Sequence, residues 1–191
     1  MKHIEIGITG GIGSGKSIVS QVLRAMQYPV YDTDYWAKQL MQSATIQQQV
    51  IDAWGQKIVT PDGNIDRTAL AQIVFNNSQE LTRLNNIVHP AVRAHYAQWV
   101  ENQHSNIVFV ESAILYQAKM DKTLQHIWCV QADEETRIKR VMHRNNLTRE
   151  QVLARIATQQ THFNDKRITP IVNNDNTAVI PQILSALNAI C

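Results

Sequence analysis

Apolar positions along the 191-residue chain follow two kinds of spacing. Short apolar or alternating runs, typical of strands, occupy Lys2–Ile8, Tyr28–Tyr31, Asn106–Glu111, His126–Val130 and Ile171–Val172. Between these runs, apolar residues recur every three or four positions, which predicts helices. Apolar strands that alternate with helices are typical of a parallel sheet covered on both faces. The pattern therefore predicts an α/β fold of three layers, α/β/α.

The helical stretches are unevenly distributed along the chain. They are predicted over Ile18–Met26, Tyr35–Met41, Ile46–Trp54, Arg67–Phe75, Ser78–Val88, Ala91–Gln103 and Asp133–Asn145. Thr148–Gln151 reads as a capping box that opens a further helix, and Pro181 fits the first turn of a last one. His89-Pro90 is expected to separate two helices, with Pro90 at a helix start. The helices between the second and third strands predict an insert near the carboxyl edge of the sheet.

Five of the seven glycines fall between Gly7 and Gly15. The run contains G-x-x-x-x-G-K-[ST], with Gly10, Gly15, Lys16 and Ser17 at the fixed positions. Glycines let successive N–H groups face one concavity that holds phosphate oxygens, and the positive end of the following helix faces the same anion. Lys16 is expected to reach the β- and γ-phosphates and Ser17 to bind Mg²⁺. The residues expected to contact ATP are Gly11, Ile12, Gly13, Ser14, Gly15, Lys16 and Ser17.

Three classes of nucleotide-binding protein share this loop. A switch GTPase would carry Asn-Lys-x-Asp and an Asp-x-x-Gly after the third strand, and this chain has neither. Motor ATPases are usually larger. A short chain with a helical insert and a late arginine-rich helix favours a small kinase. Two alternatives remain: a kinase with another small-molecule acceptor, such as a nucleoside monophosphate, and a non-catalytic nucleotide-binding module.

Two aspartates, Asp32 and Asp34, follow the second strand. Aspartates at a strand–helix junction often cap the helix. In a phosphate-loop protein this segment borders the γ-phosphate, and a hydroxyl nucleophile needs a nearby acceptor for its proton. We therefore expect one of the two to cap the helix and one to act in catalysis.

Arg137, Arg140 and Arg144 are spaced by three and four residues, so they share one helical face. Such a face is often simply solvated. Beside a triphosphate, it can instead close as a lid that neutralises the transferring phosphoryl group and stacks on adenine. We expect this lid role first for Arg140 and Arg144.

Composition limits the range of partners. The formal net charge is +2 and no basic run exceeds two residues, so no nucleic-acid or membrane partner is expected. Cys129 and Cys191 do not form a disulfide framework, and no apolar run reaches membrane-spanning length. No signal peptide is expected, since a core strand begins almost at Met1, and the predicted compartment is the cytoplasm. Mg²⁺ arriving with ATP is the only metal ion expected.

Taken together, these residues resemble the dephospho-coenzyme A kinase family over nearly the whole chain. The matching segments are Thr9–Ser17, Val30–Asp34, Asp62–Arg67 with Leu70 and Val74-Phe75, Leu84, Val88–Pro90, Ile114-Leu115, Glu135-Thr136, Arg140 and Arg144. The full loop sequence, the Asp-x-Asp and the His-Pro are together far more specific than the generic phosphate-binding motif.

The resemblance implies ATP-dependent phosphorylation of the ribose 3′-hydroxyl of dephospho-CoA. It also implies one domain with a nucleotide-binding core at about 1–34, 105–136 and 167–191. This domain would also include a CoA-binding helical insert at about 35–104 and a lid at about 137–166. The resemblance implies a monomer or weak homo-oligomer. By position, Asp34 matches the family's proposed base and Asp32 its acidic neighbour. Arg140 and Arg144 match lid arginines, and Arg67 and His89 would face the acceptor.

One stretch departs from the family pattern. After the third strand the family often has a Pro-Leu-Leu-Phe-Glu-like run, and here Ala113–Gln117 lacks both the proline and the glutamate. Glu111, just before this stretch, could supply a carboxylate from a shifted position.

Overall fold

A computed structural model describes residues 3–75, 77–159 and 164–190. Residues 160–163 of the predicted lid, together with Lys2 and Cys191, lie outside these ranges. The strands are β1 (Ile4–Thr9), β2 (Val30–Asp32), β3 (Ile107–Glu111), β4 (His126–Gln131) and β5 (Ile168–Val172). The α-helices are α1 (Lys16–Ala25), α2 (Thr33–Leu40), α3 (Ala44–Trp54), α4 (Arg67–Phe75), α5 (Ser78–Glu101), α6 (Glu134–Asn145), α7 (Arg149–Ala157) and α8 (Val179–Asn188). Short 3₁₀ helices occupy Gly55–Ile58 and Met120–Lys122.

The strands form a five-stranded sheet in the order β2-β3-β1-β4-β5. β1 pairs in parallel with β3 and β4, and β4 pairs in parallel with β5. The largest buried side chains here are apolar, among them Ile6, Ile8, Phe109 and Trp128. Because parallel strands end at the same edge, the segments after β1, β3, β4 and β5 meet there. The predicted α/β fold with a parallel sheet is confirmed.

The chain divides into two compact units. Unit 1 comprises residues 1–31 and 103–191 and contains the sheet and helices α1, α6, α7 and α8. Unit 2 comprises residues 32–102 and contains α2 to α5. Its own core is built by Ile46, Val50, Trp54, Ile58, Leu70 and Val74.

The prediction that Pro90 begins a new helix is wrong. Pro90 lies inside one continuous helix, α5. Proline removes a main-chain hydrogen bond and costs about 3 kcal/mol in a helix interior. However, Val88, Val92, Tyr96 and Val100 are four residues apart and all buried, so they form one apolar stripe across the proline. Burying each such side chain stabilises by roughly 1.5–3 kcal/mol, which outweighs the local cost.

A second apolar cluster in unit 1 joins α6 to α7. Ile138, Val141 and Val152 are buried at its centre, and Ile12 of the glycine loop packs against them. The predicted capping box is confirmed: the Thr148 hydroxyl accepts the Gln151 N–H, and the Gln151 side chain accepts the Thr148 N–H. The glycine loop and the arginine-bearing helices therefore share one packed region.

Candidate active site

The glycine loop connects β1 to α1 at the carboxyl edge of the sheet. Gly10, Gly13 and Gly15 have φ angles of 149°, 77° and 92°, which side-chain-bearing residues rarely adopt. Lys16 Nζ donates to the Gly10 carbonyl at 2.8 Å, so its ammonium group folds back over the loop. This arrangement of positive-φ glycines, a lysine and a helix N-terminus is suited to binding a phosphate chain.

Ile12 ties this loop to α6 and α7. Its N–H donates to Gln159 Oε1 at 2.7 Å, and its carbonyl accepts from Arg137 Nε at 2.9 Å. A Cβ atom at Gly13 would lie 2.6 Å from the Arg137 carbonyl oxygen, so α6 packs directly on the loop. The Ile12 N–H, expected from the sequence to face ATP, is thus engaged by a side chain.

The three arginines of α6 have different partners. Arg137 binds the loop carbonyl of Ile12, and burial lowers the pKa of its guanidinium. Arg140 Nη1 donates to the Asn173 carbonyl at 2.9 Å, and its Nη2 pairs with Asp175 at 3.0 Å. Arg144 is exposed and donates to the neighbouring Asn145 side chain. Arg140 therefore lies against the loop region, whereas this contact of Arg144 is local to its own helix.

Two contact residues were missed by sequence reasoning. Gln159 lies beyond the end of α7, and Asn173 immediately follows β5. The Asn173 side chain donates to the Ser14 carbonyl at 3.0 Å, across 159 residues of sequence. The available signal for Asn173 was its place at the carboxyl end of a strand, where ligands bind in open α/β sheets.

A cavity of about 220 Å³ lies beside the loop. Its lining residues are Gly11, Ser14, Cys129, Val130, Gln131, Ala132 and Arg137. Ser14 Oγ and Arg137 Nη2 are buried and have no hydrogen-bond partner within the described part of the chain. Burial also raises the pKa of the Cys129 thiol, which keeps it protonated near neutral pH. Unsatisfied buried donors favour a polar ligand here, since leaving them unpaired costs free energy.

Unit 2 carries both aspartates at the start of α2. Asp32 is the helix N-cap, because its carboxylate accepts the Tyr35 N–H at 2.9 Å. Asp34 lies exposed in the first turn. The segment predicted as a loop is thus a cap and a first turn, which begins α2 two residues earlier than expected.

The two predicted acceptor residues also lie in unit 2. Arg67 begins α4 and is exposed, and it lines a cavity of about 330 Å³ with Met41, Gln42, Gln47, Asn64 and Ile65. His89 lies on α5 and is half-buried. Burial and the nearby Arg93 lower the pKa of His89, so its imidazole is neutral at pH 7. The cavity includes Arg67 but is not lined by His89.

The residues that could hold Mg²⁺ in unit 1 are oxygen donors. Ser17 is exposed in the first turn of α1, and Glu111 ends β3 opposite Ile8 of β1. Hydroxyl and carboxylate oxygens are the ligands that Mg²⁺ prefers, together with substrate phosphates. The donor set therefore fits a magnesium ion that arrives with a nucleotide. Separately, the helices in the described ranges include none with the length and apolarity required to cross a membrane.

The parallel sheet, the glycine loop after its first strand and the packed arginine helix define a phosphate-loop kinase of the small-molecule kinase class. The comparisons with known proteins give the family. The dephospho-CoA kinase family model matches residues 4–179. The chain belongs to the dephospho-CoA kinase family.

Curated relatives align over nearly their full length. A dephospho-CoA kinase from Fusobacterium nucleatum is 36% identical over 180 residues, 92% of this chain and 92% of the relative. One from Bacteroides fragilis is 35% identical over 188 residues, 96% of this chain and 91% of the relative.

Solved structures match the fold. A crystal structure of a Thermus thermophilus protein has a TM-score of 0.82 and 34% identity, covering 100% of this chain and 97% of that one. The dephospho-CoA kinase from Campylobacter jejuni has a TM-score of 0.63 at 20% identity, covering 97% of this chain and 94% of that one. The second likeness concerns the fold alone.

Proposed function

We propose that this chain transfers the γ-phosphoryl group of ATP to the ribose 3′-hydroxyl of dephospho-CoA, giving coenzyme A and ADP. The observation that carries the proposal is the match to dephospho-CoA kinases over residues 4–179, with the phosphate loop and both aspartates intact. In this reaction the 3′-oxygen forms a bond to phosphorus, the bond from phosphorus to the ADP oxygen breaks, and the hydroxyl proton goes to a base.

The nucleotide is bound by unit 1. N–H groups of the loop from Gly13 to Ser17 donate to phosphate oxygens, for which the Ser14 N–H gives up its 3.2 Å bond to the Gly11 carbonyl. The N-terminus of α1 adds its positive dipole. Lys16 exchanges its internal bond to the Gly10 carbonyl for the β- and γ-phosphates. Arg140, held against the loop region by Asn173, faces the charge that develops on the transferring group.

Mg²⁺ is proposed to bind with ATP through the Ser17 hydroxyl, with Glu111 as the protein carboxylate of that site. When bound, the ion would neutralise phosphate charge and help to orient the triphosphate of ATP for in-line transfer. Ser17 and Glu111 would hold the ion, while Lys16 supplies a positive charge that does not depend on the metal.

The acceptor is bound by unit 2. Asp34 accepts the proton of the 3′-hydroxyl, while Asp32 keeps α2 capped. The cavity beside Arg67 offers a guanidinium and amide groups, which suit the phosphates and amides of a dephospho-CoA chain. His89, neutral at pH 7, can donate or accept one hydrogen bond to the same substrate.

The proposal divides the chain into a nucleotide-binding core, a helical insert at about 35–104 and a lid at about 137–166. The separation of residues 32–102 as a compact unit supports the insert. The cluster that joins α6 and α7, with Ile12 of the glycine loop packed against it, supports a lid that lies on the phosphate loop.

A coupled assay that reports ADP tests the function. Purified protein with Mg²⁺-ATP should produce ADP at least about ten times faster with dephospho-CoA than with no acceptor. AMP, gluconate and shikimate serve as acceptors of the alternative kinase classes. Stimulation by one of these, and not by dephospho-CoA, would give the protein a different acceptor. No stimulation by any of them would favour a nucleotide-binding module.

A further inference from the structure

Asn173 joins three elements of unit 1 at one residue. Its main-chain N–H donates to the Gln131 carbonyl of β4 at 2.8 Å. Its carbonyl accepts from Arg140 Nη1 of α6 at 2.9 Å, and its side-chain Nδ2 donates to the Ser14 carbonyl at 3.0 Å. The residue is only 8% exposed, so these bonds are formed away from bulk water. A buried, hydrogen-bonded amide of this kind is well suited to fix geometry.

The bond to Ser14 has a consequence for the next residue in the loop. The Ser14 carbonyl and the Gly15 N–H belong to one peptide unit, which is planar and trans, so the two groups point in opposite directions. Asn173 binds the Ser14 carbonyl, and the Gly15 N–H of the same peptide therefore points away from Asn173. The geometry of one side chain thus sets the direction of a loop donor.

This peptide unit needs an external restraint. Gly15 has a φ of 92°, and glycine tolerates both signs of φ, so rotation of the Ser14–Gly15 peptide meets little steric resistance. Asn173 lies so close that a Cβ atom at Gly15 would overlap its Nδ2. The close approach explains why position 15 is glycine, and it places the amide where it can hold the flexible peptide.

Asn173 is itself held in place by α8. The Gln182 side chain accepts the Val172 N–H and donates to the Val172 carbonyl, both at 2.8 Å. Gln182 also donates to the Ala178 carbonyl at 2.8 Å. The end of β5 is therefore clamped immediately before Asn173, which fixes the main-chain position from which its side chain reaches the loop.

We propose that Asn173 is a positioning residue for the phosphate loop: its amide turns the Gly15 N–H toward the nucleotide phosphates, and its carbonyl holds Arg140. The proposal rests on the proposed function only in that the loop binds a nucleotide, and it does not depend on the acceptor. Asn173 does not itself contact the reacting atoms.

The test compares ADP and adenosine binding by the full chain, using calorimetry or ligand-observed NMR. Asn173→Ala removes the side-chain donor and leaves the main-chain bonds. It should weaken ADP binding about 10-fold or more, the size expected when a bond to a charged phosphate is lost. Adenosine, which has no phosphate, should bind within about 2-fold of the unmodified protein, because the loop N–H is not used.

Asn174→Ala is the matched control, because the Asn174 side chain accepts the Asp133 N–H at 2.8 Å and not a bond of the glycine loop. It should leave ADP binding unchanged. If Asn173→Ala melts below the assay temperature, Asn173→Leu replaces it in the test, since leucine has a similar size and removes the donor without adding a charge. The ¹H–¹⁵N signal of Gly15 should respond to ADP in the unmodified protein and respond less in either Asn173 variant.

The outcomes separate the two proposals. Unchanged ADP affinity in a folded Asn173 variant would overturn the positioning role and leave the proposed function intact. An equal loss for ADP and adenosine would indicate a merely structural role and would also overturn it. Turnover with another acceptor would overturn the proposed function alone, whereas failure of the unmodified protein to bind ADP would overturn both.

Discussion

The carboxylate of Asp32 accepts the main-chain N–H of Tyr35 at 2.9 Å, while Asp34 lies exposed in the first turn of the same helix. The two acids therefore differ in what they can do. Asp32 satisfies a donor that α2 would otherwise leave unpaired, and a cap of this kind stabilises by about 1 kcal/mol. Asp34 is not the cap of α2 and is the better candidate for a proton acceptor.

We predict that Asp34→Asn lowers kcat by about 10²–10⁴-fold with little change in ATP binding, because the amide cannot take the hydroxyl proton. Steady-state kinetics with dephospho-CoA and ATP measure this. Asp32→Asn is the control, since an amide oxygen can still cap α2, and it should keep most of the activity. Near-normal turnover of Asp34→Asn, together with a large loss of kcat in Asp32→Asn, would show that Asp32 is the general base.

A second prediction concerns the packing of α6 on the loop. Gly13 and Gly63 both have positive φ, 77° and 80°, but only Gly13 is crowded, because a Cβ atom there would lie within 3.0 Å of both Arg137 and Val141. Gly63→Ala should cost roughly 1–2 kcal/mol of stability from backbone strain alone and leave ATP affinity unchanged. Gly13→Ala should cost more and weaken ATP binding at least about 10-fold, because the loop must shift.

Thermal melts and ATP titrations of the two glycine variants test this comparison. Equal losses of stability and equal, unchanged ATP affinities would show that contact with α6 does not matter to the loop. A loss of ATP binding in Gly63→Ala would contradict the assignment of the phosphates to residues 13–17.

The parts of the site that could be predicted from the sequence are those built by neighbours in the chain. The glycine spacing determines the loop, and Thr148 with Gln151 determines the start of α7, because both depend on residues close together in the chain. That one of Asp32 and Asp34 caps α2 also follows from local helix chemistry, whereas the structure identifies the cap as Asp32.

The remainder of the site depends on distant residues. Gln159 binds Ile12 across 147 residues, and Asn173 binds Ser14 across 159. No local spacing encodes such pairs, because the sheet order brings them together only after folding. The prediction of a helix boundary at Pro90 was wrong for a related reason. The buried apolar stripe of α5 is stabilised by tertiary packing, which overrides the low helix propensity of proline.

Arg140 gives a third prediction. It pairs with the exposed Asp175, and an exposed pair of this kind is worth about 0–1 kcal/mol. Asp175→Asn should therefore change kcat by no more than about 2-fold. Arg140→Ala should lower kcat by about 10²–10³-fold, because the negative charge that develops on the transferring phosphoryl group would lose a positioned, positively charged hydrogen-bond donor. Turnover of Arg140→Ala within a few fold of the unmodified protein would exclude a catalytic role.

His89 gives a fourth prediction, on the pH dependence of acceptor binding. Burial and Arg93 lower the pKa of His89, so its imidazole is neutral throughout about pH 7–8.5, and the KM for dephospho-CoA should show no step from this residue there. His89→Gln, which can still form one hydrogen bond, should raise that KM by less than about 3-fold, and His89→Ala by about 3–10-fold. A KM for dephospho-CoA that neither change affects would show that His89 does not contribute to acceptor binding.

The folded-state pKa of His89 lies below its unfolded value, so the unfolded chain binds more protons once the pH falls below about 6.5. Stability is then lost as the pH decreases from that value. His89→Gln should flatten this part of the curve of unfolding free energy against pH, measured by denaturant unfolding between about pH 5 and 7.5. An identical slope in the variant would show that His89 is not the group responsible.

The last prediction concerns the acid stability of the segment leading into β5. Asp165 accepts from Arg167 Nη2 at 2.7 Å and from the Tyr116 hydroxyl at 3.1 Å, and Arg167 Nη1 also donates to the Asp121 and Leu124 carbonyls. The bonds that Asp165 accepts from Arg167 and from the Tyr116 hydroxyl lower its pKa from 3.8 to about 2. Because the folded-state pKa is depressed, the stabilisation is complete above about pH 4 and is lost as the pH falls toward 2.

Asp165→Asn should therefore lower the melting temperature at pH 7, by an amount that corresponds to about 1–3 kcal/mol, and reduce the decline between pH 4 and 2. Asp62, an exposed acid in the turn before α4, provides the matched control, and Asp62→Asn should leave both quantities unchanged. Differential scanning calorimetry at about pH 7, 4, 3 and 2 measures the effect. If Asp165→Asn and the unmodified protein lose stability in parallel below about pH 4, the acid transition belongs to other carboxyl groups, and the contacts of Asp165 and Arg167 contribute little to folding.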